Sequence, residues 1–314
     1  MAQAGSTSGD LSRQANETAL SQQPAIFVLP PKRTLRHHLV FFVTKKPLGA
    51  FGASVALFLV LVAIFARFIA NHDPFETAMT AVWVNPGSEY WFGGDHLGRD
   101  VFSRLVYGAR ISLIAGIVAS FVGCTIGMMV GVISVHFGGK TDLVIQRFID
   151  AMIAFPTLIL AIAIMAALGA SLLNVVIALS IVYIPSTARI MRSQFLAIKE
   201  MDYILSARAA GASAWRIMMK HMVPNCFALY LVIFTFHLGG AIIAEASLSF
   251  LGVGTPIDVP SWGGMLSGAT SQYVALAPWL AVFPGLAIAI VVFSWNVLGD
   301  ALRDVLDPRL RGAN

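Results

Sequence analysis

Apolar runs of near-bilayer length leave this chain few folds to choose from. Six of them, residues 48–70, 111–135, 141–168, 175–186, 226–246 and 279–295, are separated by polar loops. Lipid offers backbone groups no hydrogen-bond partner, so such runs cross a membrane as helices whose bonds close within themselves. Hydrophobic residues make up 57% of the 314-residue chain and charged ones only 12%, about half the share found in soluble domains. The reading is an all-α polytopic membrane protein with six transmembrane helices. Cys124 and Cys226 sit in apolar context and read as small buried hydrophobes rather than as a disulfide.

Charge sets the expected orientation. Lys32, Arg33, Arg36, Lys45 and Lys46 crowd the approach to the first run, so the amino terminus is expected in the cytoplasm. Residues 1–47 read as a largely disordered cytoplasmic tail. Their first 31 residues are rich in Ser, Gln, Ala and Gly, and hold neither enough apolar surface to fold nor the apolar region of a cleaved signal. Residues 71–110 carry Asp73, Glu76, Glu89, Asp95 and Asp100, and residues 248–278 hold no Lys or Arg. Both are expected outside. Residues 187–225 hold Arg189, Arg192, Lys199, Arg208, Arg216 and Lys220 and are expected inside. Six crossings then return residues 300–314 to the cytoplasm as a short tail, with residues 48–299 forming the membrane domain. The net charge of +5 is concentrated in these inside loops and is no sign of nucleic-acid binding.

The inside loop is too long and too helix-prone for a bare connection. Residues 203–210 are rich in Ala, Leu and Arg. Gly211 permits a turn, Ser213 is placed to cap a second helix over 214–222, and Pro224 is expected to stop that helix and push Val223 toward extended backbone. Ile204, Ala207, Arg208 and Gly211 fall at helical spacing, with Tyr203 beside them. Such a small-residue face suits a groove on another protein. An amphipathic helix lying on headgroups has the same pattern, and spacing alone leaves both open.

Other features have a structural and a functional reading. Gly123, Gly127 and Gly131 recur every four residues, a stripe that permits close helix packing, within this chain or against a second one. Residues 94–113 read as an interfacial helix with Val101, Leu105 and Ile111 toward lipid and Arg99, Asp100, Arg104 and Arg110 snorkelling or paired. Asp95, His96 and Asp100 offer one His without locked ligand spacing, so no metal site is expected. Trp83, Tyr90, Trp91 and Phe92 suit a membrane interface. Pro156 is expected to kink the third run, where Arg147 and Asp150 can pair. Pro284 and Gly285 are expected to interrupt the sixth. Glu245 is expected near the outer end of the fifth, within reach of water, and to make a structural hydrogen bond. Asp150 and Glu245 are the candidate pathway or gating acids.

Residues 202–225 resemble the cytoplasmic loop of bacterial ABC-importer permeases, whose usual pattern is Glu-Ala-Ala, three residues, Gly, and later Pro-Asn. Leu205, Ser206 and Ala207 hold the triplet, and Gly211, Ala212, Ser213, His221, Pro224 and Asn225 fit the rest. Leu205 stands where the family has Glu, which removes one charged contact to the partner. Further stretches are similar to the second permease of dipeptide, oligopeptide and nickel importers. They are residues 95–113, residues 137–150 with Phe155 and Pro156, Glu245-Ala-Ser-Leu-Ser-Phe-Leu-Gly, Pro260-Ser-Trp-Gly, Pro278-Trp, Phe283-Pro-Gly, and Leu298-Gly-Asp-Ala-Leu-Arg-Asp-Val-Leu-Asp-Pro-Arg.

The resemblance implies a type I ABC importer permease fold in a bacterial inner membrane. It implies a second permease subunit, two ATPase subunits that use ATP and Mg, and an external solute-binding protein; lipid is the surrounding partner, and no nucleic acid is involved. Tyr203, Ser206, Ala207, Gly211, Ala212 and Ser213 would couple to the ATPase, with Pro224 and Asn225 as structural turn. Trp83, Trp91, Asp258 and Trp262 would touch the binding protein. The chain has no G-x-x-x-x-G-K-[ST] motif, so it needs no cofactor of its own, is not an enzyme, and takes its power from a partner. The competing reading is a proton-coupled secondary transporter using Asp150 and Glu245. That class wants paired broken helices and inverted repeats, which the sequence does not display. A lipid-binding scaffold is a second rival.

Overall fold

The computed structural model describes Thr44 and residues 46–267 and 273–306. The expected tail over 1–47 lies almost wholly outside these residues, as does the end of the 300–314 tail. Eight principal helices are seen: α1 Pro47–Ile64, α2 Val101–Phe137, α3 Gly139–Ile153, α4 Thr157–Leu168, α5 Leu172–Lys199, α6 Asp202–Ala209, α7 Phe227–Phe250 and α8 Trp279–Leu306. No strand occurs among the described residues. Five of the helices are long and apolar enough to cross a membrane, and α3 with α4 makes a sixth span if the bent pair counts as one.

The bundle is built around α2. Its 37 residues run about 55 Å at 1.5 Å per residue, well beyond a hydrocarbon core of about 30 Å. Asp100 starts the helix by accepting the Ser103 amide at 2.9 Å. The Gly123, Gly127 and Gly131 stripe packs within the chain. A Cβ added at Gly127 would sit 2.7 Å from the Thr187 Cβ, and one at Gly123 would sit 2.7 Å from the Ser180 carbonyl oxygen. Thus α2 and α5 meet almost backbone to backbone. Cores of small and branched side chains then fill the space among α2, α5 and α7, and among α1, α2, α7 and α8.

Proline is tolerated differently from the expectation. Pro156 does more than kink its run: α3 and α4 stand at 91°, because the break at residues 154–156 removes a turn's worth of ladder bonds at once. Pro284, by contrast, does not interrupt α8, which continues unbroken to Leu306 and absorbs the start of the expected tail. Lys46 at the start of α1 pairs with Asp304 near the end of α8 at 2.6 Å.

Residues 71–100, 251–267 and 273–277 fold over one end of the bundle as a cap. Here the lipid-facing assignment of residues 94–113 is corrected. Val101 is fully buried, and Arg99, Asp100 and Arg104 are buried too. Arg99 Nε donates to Asp95 at 2.7 Å, and an Arg104 guanidinium N–H donates to the Pro74 carbonyl at 3.0 Å. The chain preceding α2 turns back and covers its first turns, so protein rather than lipid meets them. Phe92 stacks on Phe283 at 3.9 Å, and Trp83 packs against Tyr273. Trp262 was expected to touch a partner, yet it is 1% exposed, with its indole N–H donating to the Leu105 carbonyl at 2.9 Å. Trp91 and Asp258 remain at the surface.

Candidate docking loop and buried acids

At the opposite end of α5 and α7 from the cap, residues 202–225 form the expected helix–turn–helix. The first helix, α6, is followed by Gly211 at φ +78°, a conformation that side chains resist. The Ala212 amide reaches back to the Ala207 carbonyl at 3.0 Å and the Gly211 amide to Arg208 at 3.0 Å, which ends α6 in a left-handed cap. Ser213 then accepts the Arg216 amide at 3.3 Å and starts the second helix.

Two corrections follow. Ile204 is not on an outward face with Ala207 and Arg208. It is fully buried among Val132, Phe195, Ile198, Ile217 and Met222, and hangs α6 from α2, α5 and the second helix. The exposed side is instead Tyr203, Ser206, Arg208, Ala209 and Gly211, with Ala207 and Ala212 half-buried beneath. Pro224 does not stop a helix, and Val223 is helical at φ −58°, ψ −48°. Residues Ile217–Met222 widen into a π-helix, and the short helix Val223–Asn225 follows with Pro224 in its first turn, where a missing N–H costs nothing. Asn225 donates to the His221 carbonyl at 2.6 Å.

The loop's roots are cross-tied. Arg192 of α5 donates to Asp142 of α3 at 2.7 Å, Ser134 of α2 also bonds Asp142, and Lys199 donates to the Val135 carbonyl at 3.0 Å. Trp215, 65% exposed beside Arg216, extends the outward face. Sequence reading missed it, although a lone Trp in a basic loop was the available signal.

Asp150 and Glu245 are not brought together. Asp150 is exposed and pairs with Arg189 of α5, with Arg147 further off at 4.0 Å. Glu245 is 0% exposed, against the expectation that water reaches it. Ser112 of α2 donates to one of its oxygens at 2.8 Å and Ser249 to the other at 2.9 Å. Ser249 is 3.1 Å from the Thr255 hydroxyl, which is 2.9 Å from Ser261. Glu245 therefore joins α2, α7 and the cap loop, because its helix end is roofed by residues 251–265.

With this geometry in hand, comparison with known proteins decides the family. The family described as binding-protein-dependent transport system inner membrane component matches residues 123–312. The chain belongs to this family. It is an inner membrane transport component, and the family is not one of enzymes. The glutathione transport system permease protein GsiD of an Escherichia coli strain is 42% identical over 299 residues, covering 94% of this chain and 97% of that protein. A Brucella abortus protein, provisionally named a peptide transport system permease, is 42% identical over 284 residues, covering 90% of this chain and 92% of its own length. A structure titled inward facing conformations of the MetNI methionine ABC transporter superposes with a TM-score of 0.54 at 20% identity, covering 65% of this chain and 96% of the other. That likeness concerns the fold alone, and the importer-permease fold is the one found here. Within this transport component the stretches matched by the family contain both the loop and Glu245.

Proposed function

We propose that this chain is one of two permease subunits of an ATP-driven importer that takes up peptides delivered by an external binding protein. The observation that carries the reading is α6: a helix rooted in the bundle core by Ile204 that presents a low-relief outer face of Ser206, Ala209 and Gly211, with Ala207 below it. A face of that shape admits close approach by a groove on another protein. The names of the relatives supply the solute class, and the family supplies the binding protein and the nucleotide-hydrolysing subunits.

In this reading residues 202–225 and both chain termini lie in the cytoplasm, and the cap faces the binding protein. ATP with Mg is bound by the two partner ATPases, whose closure moves their grooves together. Because Ile204 ties α6 to α2, α5 and the second helix of the loop, that motion passes into the spans as a rigid-body switch between two states. A second, non-identical permease completes the path.

The test uses the importer purified with its partners. Ala207→Glu places a charge in the half-buried layer under the docking face. Gly211→Pro demands a φ near −65° where the chain holds +78°. Either is expected to cut uptake about tenfold or more while the chain still reaches the membrane. Full uptake by both variants would remove the loop from the coupling path.

A further inference from the structure

His237 stands midway along the 24-residue α7, where an ionisable side chain is costly and marks function unless packing alone explains it. Its Nε2 lies 3.3 Å from the Ser186 hydroxyl of α5, and its ring lies 4.5 Å from that of Tyr183. These three side chains line one cavity of about 420 Å³. The right-angle break between α3 and α4 opens it: Met152, Phe155 and Leu158 form one wall, and Phe236 and Ile243 another. Among the described residues lining it there is no Lys, Arg, Asp or Glu.

Tyr183 supplies the second observation. It is 6% exposed, yet its hydroxyl makes no hydrogen bond with any described residue. The hydroxyl is not sealed inside the protein but opens on the cavity, so a molecule there can reach it. Room remains beside it: even a Cβ added at Gly240 would sit at an ordinary contact distance of 3.6 Å from the Tyr183 hydroxyl. A mostly apolar cavity with a few convergent polar groups, one of them unpartnered, has the anatomy of a ligand site.

We propose that Tyr183, Ser186 and His237 form a solute-contact site inside the membrane domain that takes the backbone amide and carboxylate groups of a peptide in transit. The proposal rests on the peptide-importer reading. Ser and Tyr hydroxyls and an imidazole each donate and accept, so they serve both N–H and C=O groups. None is a guanidinium that would clamp a carboxylate by two parallel bonds. The apolar walls take side chains without selecting among them. A transit site must hold weakly enough to release, and single bonds of this kind do so.

The experiment uses the intact importer with its partner subunits and binding protein in liposomes, with radiolabelled dialanine and glutathione as probes. Tyr183→Phe and His237→Leu are each expected to lower uptake per ATP hydrolysed about fivefold, the effect of one hydrogen bond. Ser186→Cys is expected to react with a small thiol reagent, and to be shielded when probe and binding protein are added with nucleotide. A wild-type importer that moves neither probe would overturn the peptide reading and the ligand class together. A wild type that imports normally, with both variants importing as well as it does and labelling of Ser186→Cys indifferent to probe, would overturn the site alone and leave the cavity to a neighbouring subunit or lipid. Should Tyr183→Phe fail to assemble, shielding of Ser186→Cys decides.

Discussion

Cutting Ile204 back to Ala takes a fully buried side chain out of the contact between α6 and the bundle. The expected cost is about 2–5 kcal/mol, borne locally. Hydrogen exchange should show residues 202–212 losing protection while α2 and α5 keep theirs; uniform loss across the bundle would contradict this. Glu245 tests a different rule. Glu245→Gln keeps two hydrogen-bonding atoms for Ser112 and Ser249, whereas Glu245→Leu strands the Ser112 hydroxyl and leaves Ser249 with Thr255 alone. Leu is expected to cost about 1–3 kcal/mol more than Gln, read from thermal unfolding of the purified complex; equal melting temperatures would sink the argument. In the cap, burial lowers the His96 pKa below its ordinary value, Asp95 opposes the shift, and Arg99 and Arg104 reinforce it. A lowered folded pKa means the unfolded chain binds the proton first. Cap stability should therefore fall as pH drops from about 6.5 to the folded value, then level off, and His96→Gln should flatten that slope.

Helices are where sequence and structure agree most and part most instructively. The apolar runs, the glycine stripe of α2 and the turn at Gly211 could all be read because each follows from a local property: hydropathy, residue size, or backbone freedom. What could not be read is which side of a helix meets protein. Val101 and Ile204 have the same spacing whether lipid, water or another helix lies opposite, and it took the chain folding back to bury them. Prolines misled for a related reason. A Pro at the start of a helix and a Pro in its interior look alike in sequence, so the sequence predicts breaks at Pro224 and Pro284 and no more than a kink at Pro156. The contact of α2 with α5 yields a direct prediction. Gly127→Val would drive a branched side chain into the Thr187 side chain and the Ile184 carbonyl, 2.7 and 2.8 Å from the position of its Cβ. The expected penalty is about 1–3 kcal/mol or more, seen as a lower heating threshold for aggregation in detergent; wild-type behaviour would show that the helices can part freely.

At the scale of the whole molecule, the two ends of the bundle are built for different company. The end bearing α6 is polar, basic and cross-tied through Asp142, Arg192 and Lys199, and it offers an exposed Trp215. The cap is knitted by buried charge pairs and hydroxyls. Purification of the tagged chain from its native membrane is expected to bring down a second permease and nucleotide-binding subunits carrying the phosphate-loop motif. Recovery of the chain alone, again with trapped nucleotide, would count against the importer reading. The polar site at Tyr183, Ser186 and His237 was not legible beforehand, because its three residues come from two helices and its space from the break between α3 and α4. Burial of Glu245 also bears on how the protein is made. Synthesis runs from the amino end, so Ser112 is already in place when the ribosome delivers α7. The buried acid thus arrives to find a hydrogen-bond donor waiting, while Thr255 and Ser261, which close over it, are still to come. Correct entry of α7 into the bilayer is therefore expected to depend on α2 having settled first.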